Sequence, residues 1–586
     1  MKDFEVKFQD IKIEKTLLTR KVRFLASDFI SNTWIIKRNN TIDDPSKNKI
    51  NWEWNGEEQV FSGRSNCWRN YARELSAQYV ESNLYNCESP GTFVLMIREF
   101  RSMCQFFDLN QNVENPSCVT REDVAAYESH IKNLNLTKNT VMIKLSLLSI
   151  SYELRDKAGY GLTFNPYVKS NSLSKKSKLL ARIPGKSTKT IKPKLLFKML
   201  SDSLEYIESN EDWLEYLNVY LDIINTSSSK QSRKFEELTQ RKASELIKKI
   251  NILYGASLVV FWSLIPPRVH ELSYFLSSDV DLINENSPFI PGRLTKTAGA
   301  EGGVETKRPM IPELVKAIKI IQKITQPVRD KFGDIDILFL KNPLNLRHSR
   351  TNDPYIRHSN VYRLLKGVAN HFNWNVKPLP HMFRRAYALL YVWRFEIGDV
   401  DTLRRMLFHN DTAYTQAYIN EDDIRDFLPE AEQMLSHDVL EKALFGGKSF
   451  YGAFGKRLQK WKRRIQSVSI LISPERAERV VNKFLEDTGL VIRSFYHGYC
   501  IQSLIRAKRS KCSTDGKNPD YVNRRDSHCT HCFNFMTHEG RAFHYENQKR
   551  AHTVVFESTN SPVLKKAAKE GMANADLVLK RLLNEK

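Results

Sequence analysis

Hydrophobic residues recur at spacings of three and four through residues 88–168 and predict a helical domain there. The clearest stripe consists of Phe93, Met96, Ile97, Phe100, Met103, Cys104 and Phe107. Thr120 precedes the next helix with Asp123 three positions later, which is the arrangement of a capping box. A third stripe comprises Val141, Leu145, Leu148 and Tyr152, ahead of the helix-stopping pair Asn165-Pro166.

Short aromatic stretches with polar breaks precede this helical domain, and a basic stretch follows it. Residues 1–87 contain FISNTWIIKR and NWEWNG, which favour a small accessory module with some β structure, for DNA or partner binding. Residues 169–194 carry nine Lys or Arg and no Asp or Glu, the composition of a linker. That linker is either a solvated spacer or a strap along a phosphate backbone.

Alternating helix and strand signals fill residues 195–435. The run LVVFWSLIPP predicts a central helix that Pro266-Pro267 ends, and GRLTKTAGAEGGVETKRPMIP predicts two strands around a Gly-rich turn. HMFRRAYALLYVWRF predicts a helix with His381 and Arg384 one turn apart. Residues 436–586 form a basic C-terminal region with KRLQKWKRR, a cysteine cluster and a final helix. The predicted fold is mainly α with small β-sheets.

Length and charge narrow the class of protein. A chain of 586 residues is too long for one core, and its 90 Lys and Arg exceed its 67 Asp and Glu. The resulting formal charge of +23 favours a polyanionic partner, because cations that neutralise phosphates release counterions. The N-terminal stretch lacks the apolar core of a secretory signal. The longest charge-free run, between Lys249 and Arg268, is interrupted by polar residues, so we expect a buried helix and no membrane span.

Six residues in order carry the candidate chemistry: Arg268, Lys296, His381, Arg384, His409 and Tyr418. If a tyrosine attacks a DNA phosphate, charge accumulates on the non-bridging oxygens, and planar guanidiniums bind two such oxygens at once. The leaving 5′ oxygen needs a proton from an ammonium or imidazolium. The phenol needs a base or a strong positive field to become nucleophilic. Because positioning and electrostatics dominate phosphoryl transfer, we expect no cofactor for catalysis and no ATP.

Taken singly, each of these signals has an ordinary structural explanation. An Arg-x-x-Glu pair is usually a helix salt bridge of little energetic value. An isolated His-x-x-Arg is usually incidental, and helical tyrosines mostly serve packing. The ordered set, in a chain with a basic linker, favours the chemical interpretation because independent signals agree.

Residues 88–435 resemble a tyrosine recombinase of the phage-integrase family. The order Arg, Lys, His-x-x-Arg, His, Tyr matches, in the segments PPRVHEL, GRLTKTAG, PHMFRRA and LFHNDTAYTQAYI. The resemblance implies a helical core-binding domain at 88–168 and a mixed α/β catalytic domain at 195–435, which clamp duplex DNA from opposite sides. The N-terminal module and a zinc-containing C-terminal region would be additions to this pair.

The resemblance also implies a role for each residue. Tyr418 would form a 3′-phosphotyrosyl link, while Arg268 and Arg384 hold the scissile phosphate. Lys296 would protonate the leaving 5′ hydroxyl, with Lys307 as the alternative on the same hairpin. His381 and His409 would bind the phosphate and assist proton transfer, and Glu271 would orient Arg268.

Three positions depart from the family pattern. Phe408 precedes His409 where the family usually has Gly, Pro267 precedes Arg268, and Arg385 stands where a further His is common. These departures touch neighbours of the six candidate residues and indicate a distant branch.

The function implied is that of a site-specific DNA recombinase, an integrase or transposase of a bacterial mobile element. It would act on double-stranded DNA as a homo-tetramer on paired sites, with companion recombinases or accessory proteins where required, in the cytoplasm at the nucleoid. Two alternatives stay open. One is a type IB topoisomerase-like enzyme, which His381 disfavours because that class carries lysine there. The other is a non-catalytic zinc-containing DNA-binding regulator.

The cysteines of the C-terminal region predict a metal site. Cys529 and Cys532 form a C-x-x-C knuckle, and tetrahedral zinc accepts thiolate and imidazole ligands. We expect Cys512, Cys529 and Cys532 to bind a structural zinc ion, with Cys500 or His538 as the fourth ligand. The alternative is a set of buried thiols without metal. A redox pair is disfavoured because no βαβ pattern surrounds the motif.

Overall fold

The computed structural model is mainly α-helical, with three small antiparallel sheets among the residues it describes. The structure describes residues 20–37, 41–42, 44–53, 63–82, 84–85, 87, 89–168, 172–183, 189–223, 228–283, 288–294, 304–346, 353–393, 403, 406–407, 424–446, 448–468, 473–502, 508–515, 519–520 and 526–584. The coarse fold class expected from the sequence is therefore confirmed.

Helices and strands are labelled in chain order. The helices are α1 (Gly63–Glu81), α2 (Pro90–Gln105), α3 (Arg121–Asn133), α4 (Lys138–Glu153), α5 (Ser172–Leu180), α6 (Pro193–Ser209), α7 (Trp213–Asp222), α8 (Ser228–Thr239), α9 (Ala243–Leu264), α10 (Ser277–Asp281), α11 (Pro312–Phe332), α12 (Pro343–Leu346), α13 (His358–His371), α14 (Pro380–Trp393), α15 (Ile424–Leu444), α16 (Ala453–Val468), α17 (Pro474–Thr488), α18 (Asp526–Thr530), α19 (Ala542–Ser558) and α20 (Pro562–Asn584). The strands are β1 (Thr33–Ile35), β2 (Lys49–Asn51), β3 (Phe289–Leu294), β4 (Val304–Pro309), β5 (Phe450–Tyr451), β6 (Val491–Phe495), β7 (Gly498–Gln502) and β8 (Phe535–His538).

The chain divides into two compact units, each made of two segments. One unit comprises Met1–Thr188 and Val269–Leu364, and the other comprises Lys189–Arg268 and Leu365–Lys586. The five functional domains proposed from the sequence stay a prediction.

In the first unit, one hydrophobic core runs from Val22 to Leu180 and draws on both the aromatic N-terminal stretch and the helices α1–α5. The predicted stripe of α2 is buried throughout its helical part, and the capping box of Thr120 and Asp123 is present at the start of α3. Helix α4 ends at Glu153, well before Asn165. The chain then turns through Gly159, whose φ of +82° favours glycine.

Part of the stretch predicted as a linker is folded. Helix α5 occupies Ser172–Leu180, buries Leu180 and places the Lys176 ammonium 2.6 Å from the Glu128 carboxylate of α3. Composition alone did not show this, because only Leu173 and Leu180 of this basic helix contact the core, while Leu179 is exposed.

The two strands predicted on either side of the Gly-rich turn are confirmed in the second segment of this unit. Strands β3 and β4 pair antiparallel, with Phe289 opposite Pro309 and Leu294 opposite Val304. Arg308 of β4 is buried and donates to the buried carboxylate of Glu271 at 2.6 Å. Glu271 lies in a 3-10 helix at Val269–Tyr274, so this ion pair joins the hairpin to the segment that follows Arg268.

Helix α9 is the centre of the second unit. It packs against α6, α7 and α14, and its C-terminal half is buried continuously from Ile252 to Ser263. It is long and apolar enough to cross a membrane by composition, but 72% of its most apolar window is buried inside the protein. The predicted buried helix is confirmed, and it ends at Leu264 just before Pro266-Pro267.

The C-terminal part of the second unit is built around a four-stranded antiparallel sheet in the order β5-β8-β7-β6. Helices α15, α16 and α17 cover this sheet, with Leu435, Val439, Leu458 and Val481 in the shared core. Helices α19 and α20 pack against each other as a helical pair, and the predicted final helix is α20, which has 23 residues.

The Glu271–Arg308 pair yields a stability prediction. Glu271→Ala leaves the buried Arg308 guanidinium without this carboxylate, which should lower the free energy of unfolding of the first unit by about 3–5 kcal/mol. Glu305→Ala is the matched control, because it removes the exposed pair with Arg293, at 3.7 Å on the same hairpin, and should cost under about 1 kcal/mol. Hydrogen exchange of the β3 and β4 amides measures the loss of stability in both variants. Equal losses would contradict the assignment of Glu271 and Arg308 as a stabilising buried ion pair.

Candidate active site and metal centre

Three of the six candidate catalytic residues lie among the described residues, and all three belong to the second unit. They are Arg268, His381 and Arg384. Lys296, His409 and Tyr418 lie outside the described residues. The structure therefore describes only the part of the predicted site that contains Arg268, His381 and Arg384.

The Arg384 guanidinium connects two segments of the predicted site. Arg384 lies in the second turn of α14 and is 2% exposed. Its Nη1 donates to the carbonyl oxygen of Pro266 at 2.8 Å, and its Nη2 donates to the carbonyl oxygen of Leu407. Pro266 lies two residues before Arg268, and Leu407 two residues before His409. One buried cation thus holds both chain segments at the start of α14.

The loop that carries Arg268 is fixed from a second direction. The Trp262 indole Nε1 donates to the carbonyl oxygen of Pro267 at 3.0 Å, and Trp262 is itself fully buried in α9. The two prolines cannot continue the helix, so the chain leaves α9 and presents Arg268 half-buried. Two hydrogen bonds to successive carbonyls, of Pro266 and Pro267, therefore fix the backbone before Arg268.

His381 occupies the first turn of α14 and is exposed. It follows Pro380, which suits the first helical position because a proline lacks the N–H that would otherwise be unsatisfied there. Backbone N–H groups at a helix start carry partial positive charge. An exposed imidazole at this point, one turn before Arg384, can bind an anionic oxygen or transfer a proton.

The hairpin that carries the lysine candidates belongs to the first unit. Lys307 is exposed on β4, with its Cα opposite that of Pro291. Lys296 lies outside the described residues, between the last residue of β3 and the first of β4 in the sequence. The choice between the two lysines stays a prediction, as does the orientation of Arg268 by Glu271, whose observed partner is Arg308.

Four cysteines of the C-terminal region line one small cavity. Cys500 comes from β7, Cys512 from the loop at 508–515, and Cys529 and Cys532 from the turn at α18. The cavity holds about 20 Å³, which is room for a single ion or water-sized sphere. Burial raises the pKa of the Cys500 and Cys529 thiols to about 12, whereas a reactive redox cysteine requires a lowered pKa.

His538, the other candidate for the fourth ligand, lies elsewhere on the sheet. It is buried in β8, its Nδ1 accepts from the backbone N–H of Gly540 at 3.0 Å, and its Nε2 lies 3.3 Å from the Tyr499 hydroxyl. It does not line the cavity of the four cysteines.

A second cavity, of about 690 Å³, runs beside this cysteine group and is rich in cations. Its cationic and aromatic lining residues are Phe454, Arg457, Lys460, Trp461, Arg464, Phe484, Arg509 and Phe533, against one acid, Asp487. We call it the basic groove. Arg457, Lys460 and Arg464 of α16 are exposed, and the Arg509 guanidinium lies 5.6 Å from the centroid of the Phe533 ring.

The basic run KRLQKWKRR is evident in the sequence, but we predicted no site there. The signal was available, because Arg457, Lys460, Trp461 and Arg464 stand at helical spacings of three, four and seven. Arg509 and Phe533, however, reach the same groove from distant segments, and no local pattern reveals that.

Comparison with known proteins adds little to this geometry. No protein-family model matches the chain, and no curated protein matches it. Among solved structures, the crystal structure of XerA recombinase is similar at 17% identity and a TM-score of 0.24, over 61% of this chain and 96% of that one. A likeness this weak carries no argument, so the function must be argued from the residues themselves.

Proposed function

We propose that the protein is a site-specific DNA recombinase that cleaves and rejoins DNA through a 3′-phosphotyrosyl intermediate formed by Tyr418. The observation that supports this most strongly is the Arg384 guanidinium, which bonds the carbonyls of Pro266 and Leu407. Those two bonds hold Pro266, two residues before Arg268, and Leu407, two residues before His409, at helix α14. This arrangement supports a shared site for the ordered motif.

In the proposed reaction, the Tyr418 oxygen forms a bond to phosphorus as the bond from phosphorus to the 5′ oxygen breaks. Lys296 supplies the proton to the leaving 5′ oxygen, and His409 assists in removing the phenol proton. Arg268 and Arg384 neutralise the charge that develops on the non-bridging oxygens. The reverse reaction, by the 5′ hydroxyl of another strand, releases Tyr418 and joins the new strand.

The described geometry suits an anionic phosphate. His381 is exposed at the helix start where backbone N–H groups carry partial positive charge. Arg384 lies one turn further into α14, with its two terminal nitrogens already oriented by carbonyl acceptors. A buried, pre-oriented cation stabilises developing charge without reorganising during the reaction.

The substrate in this proposal is double-stranded DNA, and the formal charge of +23 supports it. Exchange between two sites would require a tetramer on paired sites, each pair of strands being exchanged in turn. The phosphotyrosyl ester conserves the energy of the phosphodiester bond, so the proposed reaction needs no ATP. The cationic side chains neutralise the developing charge, so the proposal includes no catalytic metal.

The nucleophile can be tested by trapping. Full-length protein is incubated with a pool of randomised duplexes nicked near possible cleavage points, so that the short cleaved piece diffuses away. We expect wild-type protein to form an adduct that survives denaturing electrophoresis, and Tyr418→Phe to form none. Tyr414→Phe is the matched control, because it removes a hydroxyl four residues away in the same segment, and it should retain the adduct. Adduct from Tyr418→Phe, or none from wild type, contradicts the proposal.

The bridge made by Arg384 yields a separate prediction. Arg384→Lys keeps the charge, but one ammonium cannot reproduce the two directions of the guanidinium. We expect at least about 100-fold slower adduct formation and a loss of about 1–3 kcal/mol in stability from the unpaired carbonyls. Lys366→Ala, which removes an exposed cation of α13, should change neither. Unchanged cleavage in Arg384→Lys would contradict the role.

A further inference from the structure

We propose that Cys500, Cys512, Cys529 and Cys532 bind one zinc ion, and that this ion fixes one wall of the basic groove, where the DNA backbone binds. The zinc part stands independently of the recombinase proposal. The assignment of DNA to the groove rests on the proposed function.

The donor set suits zinc. Four cysteines from three segments line one cavity that has room for one ion. Four thiolates complete the tetrahedral shell of a structural zinc site, and a C-x-x-C turn is a frequent half of it. The backbone N–H of Cys532 donates to the carbonyl oxygen of Cys529 at 2.8 Å, which closes the turn between them.

The fourth ligand is Cys500 and not His538. Cys500 lines the cavity from β7, whereas both ring nitrogens of His538 lie near other groups, the Gly540 N–H and the Tyr499 hydroxyl. His497 and His528 also line the cavity. The His497 Nδ1, however, lies 3.2 Å from the Asp526 carboxylate, which the His544 Nε2 also contacts at 2.8 Å.

Hydrogen bonds hold the three cysteine-bearing segments together. The Asn534 amide donates to the Ser510 hydroxyl at 3.1 Å, and both side chains are buried. The backbone N–H of Ile501 donates to the carbonyl oxygen of Asn534 at 2.8 Å. Asn534 therefore links the loop of Cys512, the strand of Cys500 and the turn of Cys529 and Cys532.

Zinc binding would bring the four cysteine sulfur atoms closer together. Among the described residues, His437, Asp438 and Glu441 form the one group whose three candidate ligand atoms all lie within 4.8 Å of one another. These three residues are neighbours on one helix. No three of the four cysteine sulfur atoms all lie this close to one another. A zinc ion at about 2.3 Å from each sulfur would draw them inward.

The zinc ligands adjoin the groove directly. Phe533 directly follows Cys532, and Arg509 lies three residues before Cys512. Two groove residues are therefore close in sequence to two of the proposed ligands. Phe533 is 43% exposed although it is large and apolar. The opposite side consists of Arg457, Lys460 and Arg464 of α16, with Trp461 between them.

The chemistry of the groove favours a nucleic acid backbone. Four cations against one acid select an anionic partner, and guanidiniums bind phosphate oxygens in pairs. We therefore assign duplex DNA, the substrate of the proposed function, to this groove, with its phosphates along α16.

Metal content tests the zinc part. Full-length protein purified without added metal is analysed for zinc by mass spectrometry, then exchanged into cobalt(II), whose visible spectrum reports tetrahedral thiolate ligands. We expect about one zinc per chain and a thiolate-to-cobalt charge-transfer band. Folded protein with no zinc and no such band overturns the site.

Substitutions identify the ligands. Cys500→Ser should lose the zinc or weaken its retention against a chelator at least tenfold, and its cobalt charge-transfer band should be weaker. His538→Gln and Cys118→Ser, the latter at an exposed cysteine outside the cavity, should keep the wild-type zinc content. Zinc lost from His538→Gln but kept by Cys500→Ser would overturn the assignment of the fourth ligand.

Charge-matched variants inside and outside the groove lining of α16 test the groove. Arg457→Gln with Arg464→Gln should weaken binding of random-sequence duplex roughly tenfold or more, and lower the salt-dependence slope by about two. Lys456→Gln with Arg463→Gln removes equal charge from residues outside the groove lining and should change binding far less. Equal effects from both pairs overturn the groove, whatever the outcome of tyrosine trapping.

Zinc removal tests the coupling between the two parts. Chelation should reduce duplex binding by the wild type, but should have much less effect on the Arg457→Gln with Arg464→Gln variant. Duplex binding that is unchanged after complete zinc removal contradicts the role of the ion in shaping the groove. Catalytic variants such as Tyr418→Phe should bind as the wild type does, which separates this test from that of the proposed function.

Discussion

The hydrogen bonds of one buried guanidinium organise the part of the candidate site that the structure describes. Arg384 donates to Pro266 and to Leu407, residues far apart along the chain. A helix, a proline-terminated loop and the segment leading to His409 are thereby held at one place. A permanently charged, planar donor suits this task, because it can satisfy acceptors in different directions while staying cationic. The proposed chemistry needs such a cation next to the phosphate, so one side chain would serve both architecture and reaction.

The sequence predicted local features well where the signal is periodic or steric. The buried helix α9 follows from a charge-free apolar run ended by Pro266-Pro267, and the β3–β4 hairpin follows from Gly between two short strands. The capping box at Thr120 follows from side-chain chemistry alone. In each case, the residues that decide the structure are neighbours in sequence, so their pattern can be read without knowledge of the fold.

Long-range partners could not be predicted in the same way. The ion pair of Glu271 with Arg308 was not predicted, because it depends on the pairing of β3 with β4, which brings Arg308 to that carboxylate. Folding of residues 172–180 as α5 depends on packing with other helices and on Glu128. The sequence left open whether Cys500 or His538 lies beside the other three cysteines, because spacing does not show which side of a sheet a residue faces. Such long-range contacts depend on charge pairing and strand register, which only the three-dimensional structure shows.

The proposed cleavage and the proposed DNA binding involve separate groups of residues. The C-terminal sheet, with its cysteine cavity and basic groove, would serve DNA affinity, whereas the segments around Arg384 would serve cleavage. This separation suits an enzyme whose chemistry depends on a few cations but whose affinity depends on many phosphate contacts. Loss of one function with retention of the other is then the expected behaviour of variants.

The most direct measurement is identification of the amino acid that becomes attached to DNA. Trapped adduct is digested with nuclease and trypsin, and the modified peptide is sequenced by mass spectrometry. The account predicts a nucleotide bound through phosphate to Tyr418, in the tryptic peptide of residues 406–425. A nucleotide on Tyr414, on a serine or on any peptide outside this segment would contradict it.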